Sequence, residues 1–136
     1  MNTFSLKIVT SDGLRYEGQA EELIVRAVSG DLGILAGHTN CVAPLGMGMA
    51  TVKIDGEKRY GACIGGMLTV LDGSVKLMPT TFEWADQIDA ARAHSSEERA
   101  KEILANKTSS DTDVRLAEAR MKRALIRQSV AAHKPR

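Results

Sequence analysis

The strongest constraint on this chain is a change of sequence grammar near residue 84. Up to that point apolar and polar residues alternate, and Asp-Gly pairs break the runs; beyond Trp84 there is no Gly, and the only proline is Pro135. Alternation with period two marks half-buried strands, whereas Gly-free, Ala- and charge-rich sequence leaves helix unopposed. A chain of 136 residues built this way is expected to hold a small β domain followed by a helical appendage. It is long enough for a self-supporting core, burying about 60–70% of its unfolded surface.

The β part is read from its runs and its turns. Phe4, Leu6 and Ile8 fall on one side of a strand and Ser5 and Lys7 on the other, and the same alternation returns at Leu23 to Ala27 and Ala50 to Ile54. Asp12-Gly13, Asp55-Gly56 and Asp72-Gly73 each separate two such runs, and Gly tolerates the positive φ of tight hairpin turns. Three hairpins predict an antiparallel β-sandwich, or flattened barrel, over residues 1–84. The remainder, 85–136, is expected to form an antiparallel α-helical hairpin with helices at about 86–105 and 112–132. The overall class is therefore α+β. Polar residues 106–113 interrupt the helical pattern, and Ser110 or Asp111 is placed to cap the second helix. Large apolar residues are sparse in this hairpin, so it gains little from burial at roughly 25 cal/mol per Å2 and is expected to act as an arm able to exchange docking surfaces.

Charge separates the two parts as well. Residues 1–84 hold 7 Lys/Arg against 9 Asp/Glu, and residues 85–136 hold 11 against 8. After residue 113, seven bases (Arg115, Arg120, Lys122, Arg123, Arg127, Lys134 and Arg136) stand with one acid, Glu118. Such a segment suits an anionic partner, and a solvated basic face is the simpler alternative. The two cysteines, Cys41 and Cys63, form no C-x-x-C pair, and the sequence has no apolar h-region or membrane-length run; two apolar thiols in a reducing, cytosolic setting are expected. His38, His94 and His133 lie far apart and imply no metal site. No nucleophile-base pair stands out, so no catalytic residue is assigned.

Two motifs carry more than composition. Ser29 to His38 reads SGDLGILAGH, but no Lys-Ser/Thr follows and no helix begins after Gly37, so the phosphate-loop and dinucleotide templates both fail. On its residues alone the run is a pair of turns around a short strand. In the second motif, IDAARA, a helix at 100° per residue would set Ile88, Asp89, Arg92 and Arg99 within an arc of about 100°. Arg120, Arg123 and Arg127 likewise share an arc of about 60° on the second helix. An acceptor beside several planar donors suits phosphate recognition, with exposed ion pairs as the alternative.

Together, in this order and over essentially the whole chain, the two motifs resemble the epsilon subunit of the rotary ATP synthase, of bacterial or chloroplast type. Ser29, Gly30, Gly33, Gly37 and His38 match the family's loop, Ala36 stands where Pro is usual, and Gly65-Gly66-Met67-Leu68 fits a later turn. The resemblance implies a non-catalytic rotor subunit that couples ion flow to ATP synthesis, sited peripherally on the cytoplasmic face of the bacterial inner membrane. The sandwich would dock on the gamma stalk and the c-ring through Gly30, Asp31, Leu32, Gly33, Ile34 and His38. The arm would inhibit ATP hydrolysis by the alpha/beta head, its basic residues Arg115, Arg120, Lys122, Arg123 and Arg127 meeting an acidic segment of the beta subunit. ATP would be a regulatory ligand rather than an obligatory cofactor, held by Glu83, Ile88, Asp89, Arg92, Ala93 and Arg99 with Arg123 and Arg127. The alternative is a nucleic-acid-binding module with a basic C-terminal helix, against which low aromatic content counts.

Overall fold

The computed structural model describes residues 2–133, so Met1, Lys134, Pro135 and Arg136 lie outside the described residues, and with them two of the seven bases. The chain divides after Trp84 into two compact units. The first holds ten strands among the described residues: β1 (Phe4–Thr10), β2 (Gly13–Ala20), β3 (Glu22–Ala27), β4 (Gly30–Ile34), β5 (Cys41–Pro44), β6 (Met47–Ile54), β7 (Glu57–Ile64), β8 (Met67–Leu71), β9 (Ser74–Met78) and β10 (Thr81–Trp84). They form two separate five-stranded sheets, ordered β2-β1-β9-β8-β5 and β10-β7-β6-β3-β4.

The three Asp-Gly pairs all join hairpins, β1 to β2, β6 to β7 and β8 to β9. In the last two, both turn residues have positive φ (Asp55 51°, Gly56 79°; Asp72 49°, Gly73 81°), which matches the right-handed twist of the flanking strands. One pairing departs from the antiparallel expectation. β1 and β9 run parallel, with Leu6 opposite Val75, because the chain leaves β1, builds most of the second sheet and returns through the β8-β9 hairpin. Inward residues of both sheets make one core: Leu6, Ile8, Leu23, Val25, Ile34, Val52, Leu68, Leu77 and Phe82 are all buried within it. Between β7 and β8, Gly66 sits at φ 97° and a Cβ there would collide with the Met78 carbonyl oxygen, so the turn requires glycine.

The last residue of the sandwich is held on several sides. Trp84 Nε1–H donates to the Arg15 carbonyl oxygen at 3.2 Å, the Arg59 guanidinium lies 3.9 Å from the ring centroid, and Phe82 and Tyr16 pack edge-on at 4.9 Å and 6.4 Å. These contacts fix where the strand ends and the second unit begins.

In the second unit a 3-10 turn, Ala85–Gln87, precedes α1 (Ala90–Ala105), and α2 (Asp111–Ala131) follows. The first helix thus begins at Ala90 rather than near Asp86. Asp89 is extended (φ −83°, ψ 96°) and its Oδ1 accepts from the Arg92 backbone N–H at 3.0 Å, so its carboxylate satisfies a donor that would otherwise be orphaned. Ser110 caps α2 in the same way, accepting from the Asp113 N–H at 3.1 Å. At the other end of α1 the Ser109 hydroxyl donates to the Ile103 carbonyl oxygen at 2.9 Å. The two helices pack against each other.

Candidate functional site

Period-two alternation sorts the expected docking run. Gly30, Asp31, Leu32, Gly33 and Ile34 constitute β4, an edge strand. Ile34 faces inward and is fully buried in the core, so it drops out of any contact surface, and Leu35, which follows it, is 58% exposed. Leu32 is half-buried and packs on the core. At the other end, in the β3-β4 turn, Val28 is 71% exposed. Val28 and Leu35 were therefore missed, and the signal for Leu35 was the alternation itself: once Ile34 is assigned inward, its neighbour must face out.

The loop after β4 is shaped by its own hydrogen bonds. His38 N–H donates to the Leu35 carbonyl oxygen at 3.2 Å, and the His38 ring Nδ1–H donates to the Thr39 carbonyl oxygen at 2.8 Å. Asn40 Oδ1 accepts from the Asp72 backbone N–H at 2.8 Å, and its Nδ2 donates to Asp72 Oδ1 at 3.3 Å. This tie anchors the end of the loop to the β8-β9 turn. Asp31 is exposed and pairs with Arg26 at 3.0 Å.

The second motif is rearranged by the late start of α1. Because Asp89 is the cap and Ile88 precedes the helix, the expected single arc of Ile88, Asp89, Arg92 and Arg99 does not form on one helical face. Arg92 and Arg99, seven residues apart, do share an exposed side of α1. Ala93 is buried, which makes it a packing position. Glu83 belongs to β10, in the first unit, and is half-buried. On α2, Arg120, Arg123 and Arg127 recur within two turns, Arg120 exposed and the other two half-buried, while Arg115 and Lys122 are exposed.

The cysteines lie on different sheets and are free. Burial pushes the Cys63 thiol up to about 12, which keeps it protonated and inert, while Cys41 is half-buried. Among the described residues one set of side chains could approach a metal, His94, Glu97 and Glu98. The Lys101 ammonium lies 3.2 Å from Glu97 and 3.4 Å from Glu98, where a metal cation would have to compete with it. No described helix is long and apolar enough to cross a membrane.

Comparison with known proteins accounts for both units. Residues 3–85 match the ATP synthase delta/epsilon chain beta-sandwich domain, and residues 86–132 match the long alpha-helix domain of the same chain. An ATP synthase epsilon chain of Bacillus velezensis is 44% identical over 133 residues, 98% of this chain and 100% of its own length. That of Ruminococcus albus is 39% identical over 135 residues, again 98% and 100%. Among solved structures, a chain of the Euglena gracilis mitochondrial ATP synthase superimposes with a TM-score of 0.82 at 21% identity, over 96% of this chain and 82% of that one; this likeness concerns the fold. The nucleic-acid reading finds no support in these matches. With a sandwich and a helical unit in the same order, and relatives similar along their whole length, this chain belongs to the ATP synthase epsilon chain family, non-catalytic subunits of the rotary ATP synthase.

Proposed function

We propose that the sandwich is the docking body of this subunit and the hairpin its regulatory arm. The observation that carries this reading is the match of both domains, in order, across residues 3–132. The sandwich would contact the gamma stalk and the c-ring on the cytoplasmic face of a bacterial membrane, using Gly30, Asp31, Gly33 and His38 with the exposed Val28 and Leu35. An exposed apolar pair flanking a short edge strand suits burial against a partner. The arm would obstruct hydrolysis through Arg115, Arg120, Lys122, Arg123 and Arg127, directed at an acidic segment of the beta subunit.

ATP would act as a regulatory ligand of the closed hairpin. Arg92 and Arg99 on α1, with Arg123 and Arg127 on α2, offer guanidinium groups for phosphates, and Asp89 with its neighbouring backbone would serve the adenosine end. Ile88, half-buried just ahead of the α1 cap, completes the proposed set. Nucleotide shifts the arm only through unequal affinity for its closed and open states. Arg92→Ala should therefore strengthen inhibition at high ATP. Asp89→Ala would do so too, but would also remove a helix cap worth about 1 kcal/mol; Asp89→Ser retains a capping oxygen and separates the two effects. An ATP dependence unchanged in Arg92→Ala and Asp89→Ser would overturn the nucleotide site.

A further inference from the structure

The stripe of α1 that carries Ala93 and Ala100 also carries a carboxylate. Ala93 and Ala100, like Ala117 and Ala124 on α2, are buried at seven-residue spacing, the repeat that keeps one stripe of a helix against its neighbour. Glu97 lies between Ala93 and Ala100 on that stripe, and its side chain is only 13% exposed. Gln128 stands one turn beyond Ala124. Its Nε2 donates to Glu97 Oε1 at 3.0 Å, across the hairpin, and to the Ala124 carbonyl oxygen at 3.3 Å. The other carboxylate oxygen, Oε2, meets Lys101 Nζ at 3.2 Å, and His94 Nδ1 lies 3.7 Å from Oε1.

We infer that Glu97 and Gln128 form a polar latch that fixes the register in which the hairpin closes and governs how readily it opens. Alanine stripes are permissive, since a slip of seven residues would again set small side chains against small ones with little loss of buried area. A carboxylate in such a seam is not permissive. Oε2 keeps Lys101, from the same helix, in any register, but Oε1 takes its donor from across the seam, and losing that donor costs more than misplacing a methyl group. Only the observed pairing brings the Gln128 amide to Glu97, in the way that one polar residue in an apolar helical seam selects one register. Of the contacts to Glu97 described above, those of Lys101 and His94 come from α1 itself, and that of Gln128 crosses from α2. The consequence for regulation rests on the reading of the hairpin as an arm; the latch itself does not.

Amide hydrogen exchange on the full chain, without nucleotide or other subunits, tests the latch. In Gln128→Ala, the amides of Ala100, Ala117 and Ala124 should exchange about fivefold to tenfold faster, although alanine is the better helix former. Gln128→Glu sets two carboxylates together and should accelerate exchange further. Combining Glu97→Gln with Gln128→Glu reverses donor and acceptor, and should return the rates to within about twofold of the parent. Helical circular dichroism of each variant distinguishes a loosened hairpin from an unfolded one. Unchanged exchange in both single variants, or a double variant as loose as Gln128→Glu, would overturn the latch. Faster exchange without any change in the ATP dependence of inhibition would leave the latch standing and contradict the arm.

Discussion

Leu6 in β1 and Ala100 in α1 are both fully buried, yet the two side chains do different work. A leucine withdrawn from water contributes about 2–3 kcal/mol, and an alanine well under half of that. The sandwich core is assembled from the first kind of residue, contributed by both sheets. Buried residues of the two helices are Ala93, Ala100, Ala117, Ala124 and Val130, supplemented by a shielded carboxylate and its amide partner. A unit held by large aliphatic groups suits the proposed docking body, which must keep one shape under load. One held by alanines and a few directional bonds suits the proposed arm, which a ligand or partner of ordinary affinity must be able to open.

The largest effect should come from the core. Leu6→Ala should cost about 3 kcal/mol in urea unfolding of the sandwich; a cost near zero would erase the contrast between the units. Next is Gly66→Ala, where a methyl group meets the Met78 carbonyl oxygen at φ 97°, with an expected loss of about 2 kcal/mol. In the hairpin the corresponding steps are smaller. Ser110→Ala removes the α2 cap and should cost about 1 kcal/mol, read as helical signal at 222 nm rather than as Trp84 fluorescence.

Acid should sharpen the contrast further. The Gln128 hydrogen bond, followed by that of Lys101, holds the Glu97 carboxyl below the ordinary glutamate range. A carboxyl depressed in the folded state stabilises that state above its unfolded pKa, and the stabilisation is lost as pH falls through the lower folded value. Helical signal should therefore decline on acidification through that window, and Glu97→Gln should remove this part of the decline. An identical acid profile in the variant would show that Glu97 adds nothing to closure.

Much of this architecture was legible locally. Asp-Gly pairs named three hairpins because their geometry is set by two residues, and the Gly-free tail named the helices. What escaped depended on distant partners. The parallel β1-β9 pairing is decided by where the chain returns after building most of the second sheet, which no local pattern records. The α1 start was misplaced because Asp89 was read as a surface residue of a helix already under way, although an Asp three residues ahead of Arg92 is equally a capping signal. Ile34 was assigned to a contact surface when its alternation partner Leu35 was the exposed one. The Glu97–Gln128 pair could not be seen in the sequence, since 31 positions separate the two residues and only the hairpin register joins them.

The division of labour itself is tested most directly by the ATPase rate of the matching catalytic head, stripped of this subunit. Full-length chain, or a chain ending at Trp84, would be added back across a range of ATP concentrations. The account predicts inhibition by the full chain alone, relieved as ATP rises, with the truncated chain still bound. Equal inhibition by both chains, or no binding by either, would contradict it.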